Sequence, residues 1–406
     1  MLTKETSFPV DWIMPSAVRP EQMMFFDIET TGLSANAAEL YLIGIGVLSE
    51  ASDSFLVRQF FADDSRSEKA VLTAFLDALA SHPYVISYNG NSFDLKFIET
   101  RCRQYQLTMP DYQSIDLMVS AKWMKKRGFL SDCKLVTVEK ALGIHREDRY
   151  SGGELISVYR NYRLKKKISV CRTDSRFPMF DGTKKYSDYN ISDYFCNSIN
   201  GCDFCEMERI LLLHNLEDIK NLPYLLKLEQ FCSFMKDNDS LFSKDQCNSL
   251  ITEISRTEDG VSARIQLPFP NVCKEQKQPA MFPESVLVSL KLQNGAIKLQ
   301  IPFLKDELKL FYADYKNYYY LPYEDTAIHK SLGEFIDKSR KEKARKSTCY
   351  TRHTGVYLPL IKAPKQSDFH VFKKDYDDTV CYYSYEEVQS ELKTYLQHLV
   401  SQMLSV

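Results

Sequence analysis

Phe25-Phe26-Asp27-Ile28-Glu29-Thr30-Thr31-Gly32-Leu33 reads as a short apolar strand that ends in acids and then turns. On a strand, residues i and i+2 project to the same face, so Asp27 and Glu29 stand side by side. Two adjacent carboxylates at the end of an apolar strand repel each other unless a cation neutralises them. An oxygen-only donor pair favours Mg²⁺ or Mn²⁺ over Zn²⁺. Taken alone the D-x-E pattern is common, and a solvated strand end accounts for it more readily.

The surrounding segments alternate between strand and helix. Leu40 to Leu48 and Ser54 to Phe61 are apolar runs of strand length, and Tyr84 to Tyr88 is another. Glu68 to Ala80 has helical spacing, with Val71, Leu72, Phe75, Leu76 and Leu79 on one side. Phe93 to Tyr105 reads as a second helix, and the pattern from Ser114 to Arg163 is helical. The class implied is a mixed α/β sheet. Lys165 to Cys205 is polar and aperiodic, an irregular excursion before a helix from Glu206 to about Phe234.

Two further segments carry acids. Ser87-Tyr88-Asn89-Gly90-Asn91-Ser92-Phe93-Asp94 leaves a strand, turns through Asn-Gly and sets Asp94 at a helix start, where the helix dipole also favours an acid for purely local reasons. His214-Asn215-Leu216-Glu217-Asp218 lies in an apolar helix, and the four-residue gap puts His214 and Asp218 on one face. A buried pair is the plainer reading of that spacing.

Together, FDIETTGL on a strand, YNGNSFD before a helix and H-x-x-x-D on a later helix resemble the DEDD-type exonucleases, most closely the stand-alone bacterial YprB-like group. The resemblance covers roughly Met23 to Phe231. It implies a ribonuclease-H-like mixed sheet flanked by helices. It further implies that Asp27, Glu29, Asp94 and Asp218 bind two Mg²⁺ or Mn²⁺ ions, that His214 is the general base, and that Thr30, Thr31, Leu33 and Asn89 bind substrate. The chemistry implied is two-metal hydrolysis of a phosphodiester, from the 3′ end of single-stranded DNA or RNA. One departure stands out. The His-bearing subgroup usually separates base and last acid by five positions; a gap of four, and the longer interval from Asn89 to Asp94, belong to the subgroup that uses Tyr.

At 406 residues the chain suggests two domains. The expected division is 1–235 for the nuclease-like domain, 236–250 for a linker and 251–406 for an α+β accessory domain. In the latter, Val286 to Ile301 reads as a hairpin around Asn294-Gly295. Thr326 to Lys346 reads as a helix with Ile328, Leu332, Phe335 and Ile336 inward. A terminal helix runs through Val388, Leu392, Leu396, Leu399 and Met403. The tyrosines Tyr312, Tyr315, Tyr318, Tyr319, Tyr320 and Tyr323 either pack one sheet face or stack on bases, with packing preferred.

Apolar and charged fractions of 44% and 26% are those of an ordinary globular protein, and a net charge of -2 gives no global attraction to nucleic acid. Any such footprint is local: Lys122, Lys125, Lys126 and Arg127; Arg160, Arg163, Lys165, Lys166 and Lys167; or Lys338 to Lys346. No apolar run spans a bilayer and the N-terminus lacks a signal-peptide layout, so the cytoplasm is the expected compartment, without membrane association. The 11 cysteines read as reduced thiols; Cys171, Cys196, Cys202 and Cys205 could together hold a structural Zn²⁺, with free thiols the preferred reading. A catalytically weak nucleic-acid-binding or scaffold protein, and an endonuclease on the same fold, are the competing functions.

Overall fold

The computed structural model describes residues 1–12, 14–49, 53–64, 66–172, 203–236, 241–270, 288–364 and 367–404. The chain divides into two units, one comprising Met1–Lys125 and Leu130–Glu229, the other Lys126–Phe129 and Gln230–Val406.

The first unit runs β1 (Leu2–Pro9), β2 (Met23–Thr30), β3 (Leu40–Leu48), β4 (Ser54–Phe61), α1 (Glu68–Ser81), β5 (Tyr84–Ser87), α2 (Asp94–Gln104), β6 (Gln113–Asp116), α3 (Leu117–Lys126), α4 (Leu135–Leu142), α5 (Gly152–Arg172) and α6 (Asp203–Lys236). Six strands form one mixed sheet in the order β1-β4-β3-β2-β5-β6. β1, β4, β3 and β2 pair antiparallel, and β5 and β6 continue parallel to β2.

Because β2 and β3 are central, both their faces are covered, which is why MMFFDIET and LYLIGIGVL are almost wholly buried. On one face Phe26 meets Phe75 of α1, ring centroids 5.4 Å apart. On the other, Phe25, Phe55 and Trp12 form an edge-to-face cluster at 5.4–6.1 Å. Asp27 and Glu29 share the face of Phe25, opposite to Phe26.

Gly44 of β3 pairs with Asp27 across the ladder, and α6 lies close over it. A β-carbon there would sit 1.9 Å from Ile219 Cδ1 and 2.2 Å from Asn215 Oδ1. The missing side chain is therefore what lets α6 approach the acidic end of β2. Gly44→Ala is expected to lower stability by about 1–3 kcal/mol, the usual cost of forcing carbon into a filled core. Denaturant unfolding checks this, and an unchanged midpoint would contradict the close approach.

Three differences from the sequence reading have local causes. Gln113–Asp116 is the edge strand β6 and not the start of a helix; four residues of mixed polarity are too few to display a strand period. β1 was not foreseen, because its polar residues, such as Glu5 bonded to Arg58 at 2.5 Å, are those of an edge strand. Lys165–Arg172 continues α5, and Asp203 already begins α6, so the expected excursion is shorter than Lys165 to Cys205. Its remainder lies outside the described residues.

The second unit contains α7 (Lys244–Asn248), β7 (Ile251–Arg256), β8 (Gly260–Gln266), β9 (Ser289–Gln293), β10 (Ala296–Pro302), β11 (Leu304–Phe311), β12 (Tyr318–Leu321), β13 (Thr326–His329), α8 (Lys330–Gly333), β14 (Glu342–Lys343), β15 (Tyr350–Leu360), β16 (Val371–Lys373), β17 (Cys381–Ser384), α9 (Tyr385–Val388) and α10 (Leu392–Leu404). These form a sheet β7-β8-β10-β9, a closed barrel β11-β15-β17-β16 and a small sheet β13-β12-β14. α7 falls within 236–250 and begins with a capping box from Ser243 and Gln246. Asn294 and Gly295 both take positive φ, 50° and 66°, as a two-residue hairpin turn requires.

The helix expected over Thr326 to Lys346 is absent. Thr326–His329 pairs with the tyrosines of β12, and only Lys330–Gly333 is helical. Leu332 and Phe335 are exposed, so their helical spacing was fortuitous. Of the basic residues from Lys338 to Lys346, Lys338 and Arg340 accordingly lie in a 3-10 turn, Lys343 in β14 and the others in the chain between and after them, not on a helical face. The tyrosines pack: Tyr312 stacks on Tyr318 at 5.0 Å, and Tyr315, Tyr318 and Tyr320 cover a small core of Ala327, Ala344 and Cys349. Tyr323 alone among them is strongly exposed.

Candidate active site

The last residues of β2, the start of α2 and the middle of α6 meet at one end of the first unit. Asp27 and Glu29 extend from β2 toward α6, and a bulge after Glu29 ends the regular ladder. Asp94 is the first residue of α2, and its Oδ1 accepts the Ile28 N–H at 3.3 Å, which draws the helix start onto β2. The preceding turn is held by Asp116 at the end of β6: its carboxylate accepts the N–H groups of Asn89 at 2.7 Å and Asn91 at 3.3 Å. Asn89 takes φ 70°, a conformation Asn tolerates better than most residues.

α6 contributes His214, Asn215 and Asp218. Asn215 Nδ2 donates to Asp27 Oδ2 at 3.0 Å, while its Oδ1 accepts from Gln59 Nε2 at 3.0 Å. Gln59 also bonds the Leu212 carbonyl at 2.8 Å, so β4, β2 and α6 are joined through two buried amides. His214 Nε2 lies 3.6 Å from Glu29 Oε1 and 3.7 Å from Asp218 Oδ2. Glu29, His214 and Asp218 offer donor atoms within 4.8 Å of one another, close enough to share one ion.

A set of supporting groups was missed in the sequence. Asp148 Oδ2 lies 2.6 Å from His214 Nδ1. Arg146 places Nη2 2.5 Å from Asp218 Oδ1 and directs Nη1 to both oxygens of Glu139, at 3.2 and 3.0 Å. Glu217 accepts the backbone N–H groups of Glu147 and Asp148 at 3.1 and 2.8 Å. Asn221 adds a bond to Glu139 at 2.9 Å. The only local signal was a second acid, Glu217, beside Asp218; Arg146 and Asp148 sit in an unpatterned charged run after α4.

The electrostatics are those of crowded acids. Burial, then the charges of Asp218, Asp94 and Glu29, push Asp27 well above the carboxylate range, against the Asn215 bond. Burial raises Glu29 to about 8, with His214 opposing and Asp218 and Asp94 adding. Burial raises Asp94 to about 7, with its backbone hydrogen bonds opposing and Asp116 and Asp218 adding. For His214, burial disfavours the charged ring, but Asp218, Glu29 and Asp148 outweigh it and lift its pKa. Among the described residues no lysine or arginine forms an ion pair with Asp27, Glu29 or Asp94. Three crowded carboxylates without a lysine or arginine partner, supplying hard oxygen donors, fit a divalent cation of the Mg²⁺ or Mn²⁺ kind.

A pH dependence follows. Glu29 has a folded value of about 8 against an ordinary 4.5, so its contribution to stability is fully present below about 4.5. It is lost as pH rises through about 8. In chelator, the melting temperature of the native chain is expected to fall relative to that of Glu29→Gln across this window. Parallel curves would contradict the crowding.

The remaining site candidates are dispersed around this cluster. Thr30 donates its hydroxyl to the Gly32 carbonyl at 2.8 Å and Thr31 accepts the Glu39 N–H at 2.9 Å, so both shape the turn after β2. Leu33 beyond it is 88% exposed. In the basic clusters, Arg163 pairs with Glu39 at 3.1 Å and Lys166 with Asp63 at 2.5 Å. Among the described residues Cys205 forms no disulfide; Cys196 and Cys202, and the side chain of Cys171, lie outside the described residues, as does the zinc expectation that rests on them.

Residues 24–181 match the sequence family described as the RNase_H superfamily. The mixed sheet and flanking helices agree with that fold, which is generally one of nucleases and related hydrolases acting with divalent metals on nucleic acid. The matched span holds Asp27, Glu29 and Asp94 and ends before α6. No curated protein matches the chain. Among solved structures, the family B DNA polymerase from the hyperthermophilic archaeon Pyrobaculum calidifontis is similar at 12% identity and a TM-score of 0.36, over 74% of this chain and 36% of the polymerase. The chain thus spans about a third of that protein's length. No helix among the described residues is long and apolar enough to cross a membrane.

Proposed function

We propose that the first unit is a divalent-metal-dependent nuclease of DEDD type that removes nucleotides from the 3′ end of single-stranded nucleic acid, acting in the cytoplasm. The observation that carries the reading is the gathering of Asp27, Glu29, Asp94 and Asp218, with His214, around one buried acidic cluster. When bound there, two Mg²⁺ or Mn²⁺ ions would supply Lewis acidity toward a phosphodiester and toward water. The four carboxylates would hold the ions. His214 accepts the proton of the attacking water at Nε2, the nitrogen that faces Glu29 and Asp218. Arg146 holds Asp218 through Oδ1 and so fixes the direction in which that carboxylate points. Thr30, Thr31, Leu33 and Asn89 border the cluster and contact the terminal nucleotide. The residues 236–250 link this unit to an accessory domain, 251–406.

Exonuclease and endonuclease action separate on a covalently closed single-stranded circle. The expected result is that the circle survives in Mg²⁺ or Mn²⁺ while its linear form is degraded. A nicked circle would replace the exonuclease reading with an endonuclease one; an intact linear strand would favour a binding or scaffold role.

A further inference from the structure

His214 could in principle present either ring nitrogen to the acids, because rotation of the ring exchanges them. One neighbour removes that freedom. Asp148 Oδ2 lies 2.6 Å from Nδ1, and the Asp148 side chain is only 4% exposed. A buried carboxylate has no donor of its own, so a hydrogen bond at this distance needs the proton on Nδ1. Nε2 is then the unprotonated atom of the neutral ring, directed at Glu29 and Asp218, 3.6 and 3.7 Å away.

Asp148 is itself anchored. Its backbone N–H, and that of Glu147, donate to Glu217, a fully buried residue one turn beyond His214 on α6. The loop therefore grips the helix through its backbone and returns the Asp148 carboxylate to the imidazole of the same helix. Arg146 also faces Asp148 Oδ2, but at 3.7 Å, farther than the imidazole. The groups around His214 are thus Asp148 at Nδ1, Glu29 and Asp218 at Nε2, and Arg146 behind Asp148.

We propose that Asp148 is the positioning residue of His214, holding the ring by Nδ1 so that Nε2 is the atom offered to the reaction. This rests on the nuclease reading for its consequence in rate, though not for its geometry. Outer partners of this kind typically change activity by about 10–100-fold when removed.

The test has a structural arm and a kinetic arm. In chelator, at a pH where the ring is neutral, imidazole ¹⁵N shifts of the full chain are expected to show His214 protonated at Nδ1 and free at Nε2. Asp148→Ala is expected to shift this toward the opposite tautomer, and Asp148→Asn, whose Oδ1 still accepts, to retain it. Kinetically, Asp148→Ala should slow nucleotide release about 10–100-fold with KM little changed, and should add nothing in a His214→Ala background. A native chain with His214 protonated at Nε2 overturns the proposal, even where Asp148→Ala fails to fold. So does an equal loss from Asp148→Ala with or without His214, which would make Asp148 part of an Arg146 ion cluster only. An inactive native chain with the expected shifts would refute the nuclease reading and leave the positioning intact.

Discussion

Asp94→Asn is expected to remove nucleotide release almost completely while leaving the chain folded. Asn keeps an oxygen for the Ile28 N–H, so the start of α2 stays on β2. What is lost is one negative charge and one hard donor from a cluster that has no lysine or arginine partner at Asp27, Glu29 or Asp94 among the described residues. Metal assistance supplies several kcal/mol, so the loss should be about 10³-fold or more. Stability should move the other way. Removing a carboxylate that burial has raised to about 7 relieves repulsion, so the metal-free melting temperature should hold or rise. Stabilisation by added Mn²⁺ should shrink. Activity and melting curves of Asp94→Asn and the native chain, with and without Mn²⁺, check both parts. Native-level release would remove Asp94 from the site, and a large loss of metal-free stability would mean that its role is structural.

His214→Ala carries the second large effect. Losing a general base typically costs about 10²–10⁴-fold, and the acids should still retain the ions. The spacing sharpens the test, because a gap of four residues to Asp218 is the one at which the Tyr-bearing exonucleases that the sequence resembles carry their Tyr. His214→Tyr should therefore keep more activity than His214→Ala, provided a phenol can reach where Nε2 now lies, between Glu29 and Asp218. Near-native turnover in His214→Ala would leave the ring as a packing residue. A large fall in Mn²⁺ affinity would make it a ligand instead, as its grouping with Glu29 and Asp218 permits.

What could be read in advance depended on how local each signal was. The placement of Asp27 with Glu29 follows from strand alternation, and that of His214 with Asp218 from the helical turn, both within five residues. The central strands were visible as apolar runs because both their faces are covered. By contrast, Asp148 meets His214 across 66 positions, and its bond depends on a loop held by Glu217. Nothing near Gly44 announces that α6 must come close there; that is visible only when Asn215 and Ile219 are in place. The same limit explains the error at Thr326 to Lys346. Ile328, Leu332 and Phe335 imitate one helical face, but pairing with the tyrosines of β12 prevails for Thr326–His329. Edge strands such as β1 and β6 lack the buried face that makes a period legible.

The most direct test of the central claim is a time course on 5′-labelled single-stranded DNA and RNA oligonucleotides, run with Mg²⁺, with Mn²⁺ and with chelator. The expected result is a ladder that shortens from the 3′ end on at least one of the two substrates, appears only with metal and is absent with Asp94→Asn. No shortening on either substrate, or shortening that persists in chelator, would contradict a metal-dependent nuclease at Asp27, Glu29, Asp94 and Asp218.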